Sequence, residues 1–134
     1  MAYVIACLMA SLSFLLNKAL LKTVGPKAIV SFSPAVEEAV KTLPAYYLSA
    51  DILATHVTFG LLEAVYDWLP KRKSSGKAAL FSLIGHTLFG LATIAALWLA
   101  DSVWMALAAG FACHLAWNAA VVTFYAPREG SGGQ

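Results

Sequence analysis

The sequence predicts an all-α fold: a polytopic transmembrane bundle of about five helices, four being the alternative. Three observations carry that prediction. The 134 residues are 60% hydrophobic and only 12% charged, whereas a soluble domain is about 45–50% apolar and about 25% charged. The apolar residues fall into runs near the roughly 20 residues a spanning helix needs, separated by turn and breaker residues. The basic residues crowd at the ends of those runs. A net charge of +2 says little by itself. At this length the chain is one domain, residues 1–126, followed by a Gly-rich polar tail, 127–134, of the composition expected for disorder.

The first run, Ala2 to about Val24, is apolar until Asn17, Lys18 and Lys22, so it reads as a span whose lysines snorkel at one end. It lacks the basic start and small-residue cleavage site of a secretory signal. "VGPK", Val24 to Lys27, is a breaker. Ser33-Pro34 has the chemistry of a helix start, serine as N-cap and proline at the first helical position. The second helix is therefore expected from Pro34 to about Ala50, with a bend at Pro44. "SAD", Ser49 to Asp51, is a weak turn signal. A third run covers Ile52 to Leu69 and stops at Pro70. "KRKSSGK", Lys71 to Lys77, is a basic loop. Ala78 to Ala100 and Ser102 to Tyr125 complete the spans, joined at Asp101-Ser102. Cys7 and Cys113 both lie in apolar runs and are expected to be buried free thiols.

The choice between five and four helices rests on the placement of positive charge. A turn near residue 50 puts eight of the nine basic residues on one side, all but Lys41. Treating 43–69 as one long span would oppose Lys18, Lys22, Lys27 and Lys41 to the 71–77 loop and bury Asp51. Five helices follow, with the N-terminus outside and the C-terminus cytoplasmic. Phosphate-binding glycine loops, CxxC and HExxH motifs and a nucleic-acid footprint are absent from the sequence. The partner it implies at this level is the lipid bilayer, and its oligomeric state is left open.

Within the apolar runs stand Glu37, Glu38, Lys41, His56, Glu63, Asp67, His86, His114 and Asn118. Such residues are costly in hydrocarbon and mark functional sites by default. Helices 2 and 3 form a hairpin centred near residue 50, which sets Glu37 and Glu63 at one depth. Helices 4 and 5 form a hairpin centred near residue 100, which does the same for His86 and His114. At 1.5 Å per residue, Glu63 lies roughly 10 Å and His86 roughly 13 Å from the basic loop. One polar layer in the cytoplasmic half of the membrane results, on residues 34–122. The pairs Glu37/Lys41, Phe59/Glu63, His86/Gly90 and His114/Asn118 are spaced i,i+4 and each shares a helix face. Gly60, Gly85, Gly90 and Gly110 allow close helix approach around that layer. The bland readings are a helix-dipole role for Glu37 or Glu38 in a first turn, an interface hydrogen bond for His56, and a pairing of Asp67 with Lys71. Trp68, Trp98, Trp104, Tyr66 and Tyr125 suit interfacial belts.

"EEAVK" (Glu37–Lys41), "FGLLE" (Phe59–Glu63), "HTLFG" (His86–Gly90) and "HLAWN" (His114–Asn118), in this order on successive helices, resemble the PrsW-type intramembrane proteases. These belong with the CAAX prenyl endopeptidases and with a gamma-secretase subunit, APH-1. The resemblance covers roughly residues 30–122, in a chain short for the family. It implies a membrane-embedded peptide hydrolase acting on a membrane-anchored protein. By motif it makes Glu37 the general base, Glu38 and Lys41 its supports, and His114 and Asn118 the oxyanion donors. Glu63 stands where the CAAX branch has a histidine, which leaves His86 to take over the imidazole's role.

The chemistry is consistent with the residues themselves. Amide hydrolysis needs an activated water, an oxyanion donor and a proton for the leaving amine. Three acids and one lysine cannot all be comfortably ionised at low dielectric, so a proton-sharing cluster is expected. Glu63, His86 and His114 would also make a zinc set with an open fourth position, a further glutamate acting as base. The sequence leaves the choice between no cofactor and one zinc ion open. The rival readings are a non-catalytic membrane scaffold like APH-1, a protein using His86 and His114 as axial haem or metal ligands, and a proton-coupled transporter.

Overall fold

The computed structural model describes residues 2–24, 26–70 and 75–125, with the side chains of 3–16, 19–20, 22–23, 32–70 and 75–123. Among these residues the chain is all-helical and has no strand: α1 is Ala2–Val24, α2 Pro26–Tyr47, α3 Ile52–Trp68, α4 Ser75–Ala100 and α5 Val103–Tyr125. Gly25, residues 71–74 of the expected basic loop and the tail from 126 lie outside the described residues, as do the side chains of Asn17, Lys18 and Lys27.

The turn near residue 50 exists, and local chemistry makes it. Ser49 adopts a left-handed backbone, φ 52°. Ala50 N–H donates to Ala45 O at 2.8 Å and Ser49 N–H to Tyr46 O at 3.1 Å, the paired bonds of a Schellman stop. Asp51 then caps α3, its carboxylate accepting from Ala54 N–H at 2.9 Å. Asp51 is thus a cap at a helix junction and not a charge inside a span. The α4–α5 turn follows a related plan. Asp101 is left-handed, φ 48°, and its N–H closes on Leu97 O at 2.9 Å.

The sequence places the start of the second helix at Ser33-Pro34, but α2 begins at Pro26 and runs through Pro34 and Pro44. Pro26 has the same fitness for a first helical position as Pro34, and internal prolines persist where packed neighbours hold the helix. Ser33 is accordingly no N-cap; its hydroxyl donates to Glu37 Oε1 at 2.9 Å. Glu37 and Glu38 lie about three turns inside α2, whose first turn holds no acid, so the helix-dipole explanation for them falls away. The short helix is α3, with 17 residues, and not α2, with 22.

Helices α2, α3, α4 and α5 close a ring in which each packs on the next, and α1 lies outside it across α2 and α3. Facing pairs show antiparallel neighbours: Gly60 meets His86 and Gly90 meets His56 across α3 and α4. Charged groups are buried beside an apolar core, and large apolar side chains lie on the surface. Glu38, Lys41 and His56 are fully buried, whereas Trp98 is 84% and Leu99 76% exposed. Among the described residues two helices are long and apolar enough to cross a membrane, Ser75–Ala100 and Val103–Thr123. Both cysteines are free, but Cys7 is exposed and Cys113 half-buried. The expectation that they are buried fails because apolar runs here also supply the outer surface.

Gly60 and Gly90 are equally tight helix contacts on the α3–α4 seam, and Gly60 is the one that also meets backbone. A Cβ there would stand 2.8 Å from His86 Cβ and 3.2 Å from Ser82 O, with backbone on one side and a ring-bearing residue on the other. Gly60→Ala is therefore expected to destabilise by about 1–3 kcal/mol through overpacking. Gly76→Ala, whose nearest neighbour would be 3.6 Å away, should leave stability unchanged or improved. Unfolding of both variants in mild detergent checks the pair; equal midpoints would remove the close-approach argument.

Candidate active site

The ring encloses a chain of polar contacts that begins on α2. Lys41 and Glu38, one turn apart, form an ion pair at 2.6 Å with both side chains fully buried. Lys41 Nζ also lies 3.0 Å from His86 Nδ1 on α4 and 4.4 Å above the Phe59 ring on α3, a cation–π contact. Glu38 Oε1 lies 3.0 Å from His114 Nδ1 on α5. From the far side of each imidazole the chain continues to a second acid. His86 Nε2 is 2.6 Å from Glu63 Oε2, and His114 Nε2 is 4.0 Å from Glu37 Oε2. The two carboxylate–imidazole pairs are thus tied at their backs by one ion pair.

Phenylalanines hold the two rings. Phe89 stacks on His114 with centroids 4.3 Å apart and planes 18° from parallel. Phe59 and Phe89 both meet His86 edge to face. The imidazoles touch each other edge to face, centroids 5.4 Å apart. Gly110 admits Glu38: a Cβ there would strike Thr93 Oγ1 and come within 2.9 Å of Glu38 Oε2.

The cluster has a dry side and an open side. Glu37, Glu63, His86, His114 and Asn118 line a cavity of about 510 Å³, whose wall also includes Asp67 and Ser82. Glu38 and Lys41 do not reach it; they form the layer behind. A second, mostly apolar cavity of about 400 Å³ lies between α1 and α3, lined by Phe14, Phe59, Leu62 and Tyr66 among others, and Glu63 lines this one as well.

All seven site residues read from the sequence therefore fall in or around one cluster, at the common level that the two hairpins require. His56 makes the interface hydrogen bond expected of it, between α3 and α2. It is fully buried, 3.4 Å from Thr42 Oγ1, with its Nδ1 3.7 Å from Glu38 Oε2. Neither of those last two atoms has a hydrogen-bond partner among the described residues. The signal was in the spacing, since His56, Gly60 and Glu63 share the α3 face that meets α4. Asp67 accepts from Ser82 Oγ at 3.0 Å; the expected partner Lys71 lies outside the described residues. Ser33, expected as an N-cap, and Phe89 also contact the cluster, through Glu37 and His114.

Among the described residues no group of three His, Cys, Asp or Glu side chains is arranged to hold a metal ion. Glu63, His86 and His114 share the cavity, but His86 has both ring nitrogens engaged, by Glu63 and by Lys41. It would have to release one to bind a metal. Comparison of the chain with protein-family models, with curated proteins and with solved structures returned no match.

The buried pair sets a stability test. Lys41→Met leaves the Glu38 carboxylate buried without its cation, a change that costs about 3–5 kcal/mol where one partner of a buried pair is removed. Replacing both, Lys41→Met with Glu38→Leu, should recover most of that loss. Unfolding of the single and double variants in detergent is the measurement. A double variant no more stable than the single would show that the pair's mutual compensation is not what matters.

Proposed function

We propose that this protein is a multi-pass membrane protein and an intramembrane endopeptidase, hydrolysing a peptide bond of a membrane-anchored protein near the cytoplasmic leaflet. One observation carries the reading. Two carboxylate–imidazole pairs, Glu37 with His114 and Glu63 with His86, face a single cavity inside a bundle whose outer surface is apolar. Hydrolysis needs this combination: acceptors to activate a water, a donor for the oxyanion and a shuttle for the proton. Glu37 meets the water, Asn118 supplies an oxyanion hydrogen bond, and Glu38 and Lys41 act from behind by holding the imidazoles. The four-motif resemblance to PrsW-type proteases supports the same reaction class and the same set of residues.

The rivals fit less well. A haem between His86 and His114 needs a gap between the rings, which instead touch. A purely assembling scaffold gives no reason for acids and imidazoles to face a cavity. The zinc form needs His86 to give up a contact it already makes, so we favour a water activated by the Glu/His cluster without a metal.

Glu37→Gln keeps the size of the side chain and removes its charge. Cleavage of membrane-anchored reporter peptides, by purified protein in lipid vesicles, should fall by about 10²–10⁴-fold, the usual range for a lost acid–base group. A wild-type protein that cleaves no member of a broad single-span peptide library would overturn the protease reading, and an active Glu37→Gln variant would overturn the role of Glu37.

The proposed topology puts the ends of α1 and α5 and the start of α4 on the cytoplasmic side, following the basic residues. Reporter fusions after residue 50 should report outside, and fusions at the C-terminus should report cytoplasmic. The reverse pattern would invert the assignment.

A further inference from the structure

The ion pair behind the cavity does more than hold the two histidines in place. An ammonium carries only donors and a carboxylate only acceptors. Lys41 Nζ, 3.0 Å from His86 Nδ1, can only donate to it, so that nitrogen keeps its lone pair. The ring proton of His86 is then on Nε2, donated to Glu63 Oε2 at 2.6 Å. Glu38 Oε1, 3.0 Å from His114 Nδ1, can only accept, so that nitrogen carries the proton. The lone pair of His114 is then on Nε2, the nitrogen on the Glu37 side of a ring that lines the cavity. One pair of opposite charges, one end on each imidazole, gives the rings opposite tautomers.

We propose that the Lys41–Glu38 pair fixes His86 and His114 in opposite tautomers, and that His114 is the group that takes a proton from the attacking water and passes it to the leaving amine. The second half rests on the hydrolase reading above; the tautomers do not. It changes two roles implied by the resemblance: the base is His114 in place of Glu37, which holds the water, and a neutral ring with its lone pair on Nε2 cannot donate to an oxyanion. That task falls to Asn118, one turn further along α5. It also removes His86 as the water's base, because its lone pair is already used by Lys41.

The geometry suits a water. His114 Nε2 and Glu37 Oε2 are both acceptors, 4.0 Å apart. A water at about 2.8 Å from each makes an angle of about 90° between them, close to the spread of its own two O–H bonds. Both hydrogens are then engaged and the oxygen lone pairs turn towards a bound peptide. In the reaction the water oxygen bonds to the scissile carbonyl carbon while its proton moves to His114 Nε2. The resulting imidazolium is stabilised through Nδ1–H by Glu38. The C–N bond then breaks as Nε2 returns the proton to the departing amine, giving a carboxylic acid and an amine. The arrangement follows the carboxylate–imidazole logic in which a buried acid fixes the tautomer and orientation of a general base.

The chain has only three histidines, which makes the tautomers directly readable. Protein with ¹⁵N-labelled histidine, full length and in detergent micelles, gives for each ring the identity of its protonated nitrogen from its couplings to the two ring protons. Single His→Gln variants assign the three sets. The expected result at neutral pH is His86 protonated at Nε2 and His114 at Nδ1. His114 with its proton on Nε2, or on both nitrogens, overturns the proposal; if the variants do not fold, a wild-type spectrum in which no ring carries its proton on Nδ1 alone overturns it as well. The kinetic half uses His114→Gln, whose amide can donate a hydrogen bond but cannot take up a proton. Its kcat should fall about 10²–10⁴-fold with KM little changed, and retention within tenfold overturns the base role. If the tautomers are as expected but the wild-type protein cleaves nothing, the protease reading falls and the tautomer assignment stands. If cleavage depends on Glu37 but His114 is protonated at Nε2, the reverse holds.

Discussion

The contact between Lys41 and Glu38 is the constraint from which most of this structure follows. Two opposite charges, fully buried at 2.6 Å, are tolerable only when their remaining hydrogen-bonding capacity is met. Lys41 meets it with an imidazole on α4 and a ring face on α3. Glu38 meets it with an imidazole on α5. Three neighbouring helices are thereby drawn to one level of α2. They can come that close because glycines stand where they touch: Gly60 under His86, Gly90 under His56 and Gly110 under Glu38. The glycines, the histidines and the ion pair are parts of a single solution.

Much of this was legible in the sequence because it depends on spacing along helices. The symmetry of Glu37 with Glu63 about residue 50, and of His86 with His114 about residue 100, follows from hairpin geometry and needs only the turns to be right. The turns carried a readable cap in Asp51, although Ser49 and Asp101 as left-handed stops were less evident than glycine would have been. What could not be read was which direction each polar group points. Glu38 and Glu37 are adjacent, yet one faces the cavity and the other the interior. His56 makes the interface hydrogen bond its position suggests, but its approach to Glu38 depends on its helix face and not on its depth. The start of α2 falls at Pro26 and not at Pro34, two prolines that offer the same local chemistry.

The division between a cavity-facing and a fully buried layer has chemical meaning. Groups that face the 510 Å³ cavity can exchange protons with whatever occupies it. Those behind it, Glu38, Lys41 and His56, can act only through their neighbours. Glu63 has a further distinction, since it borders both the central cavity and the apolar one between α1 and α3. It is the point at which α1, outside the ring, comes within one side chain of the polar cluster.

The ion pair also bears on how such a bundle could be assembled. Lys41 and Glu38 are three residues apart on one helix, so α2 carries its own counter-charge. On the membrane reading, a lone ionised side chain at the centre of a span costs about 2.5–3.5 kcal/mol during insertion. Had the lysine been on α4 or α5, α2 would have to wait unneutralised in the translocation channel until its partner was synthesised. With both charges on the same turn, it can leave the channel as a locally neutral unit and acquire its histidines later, as α4 and α5 arrive. The order of synthesis and the order of charge compensation are then compatible.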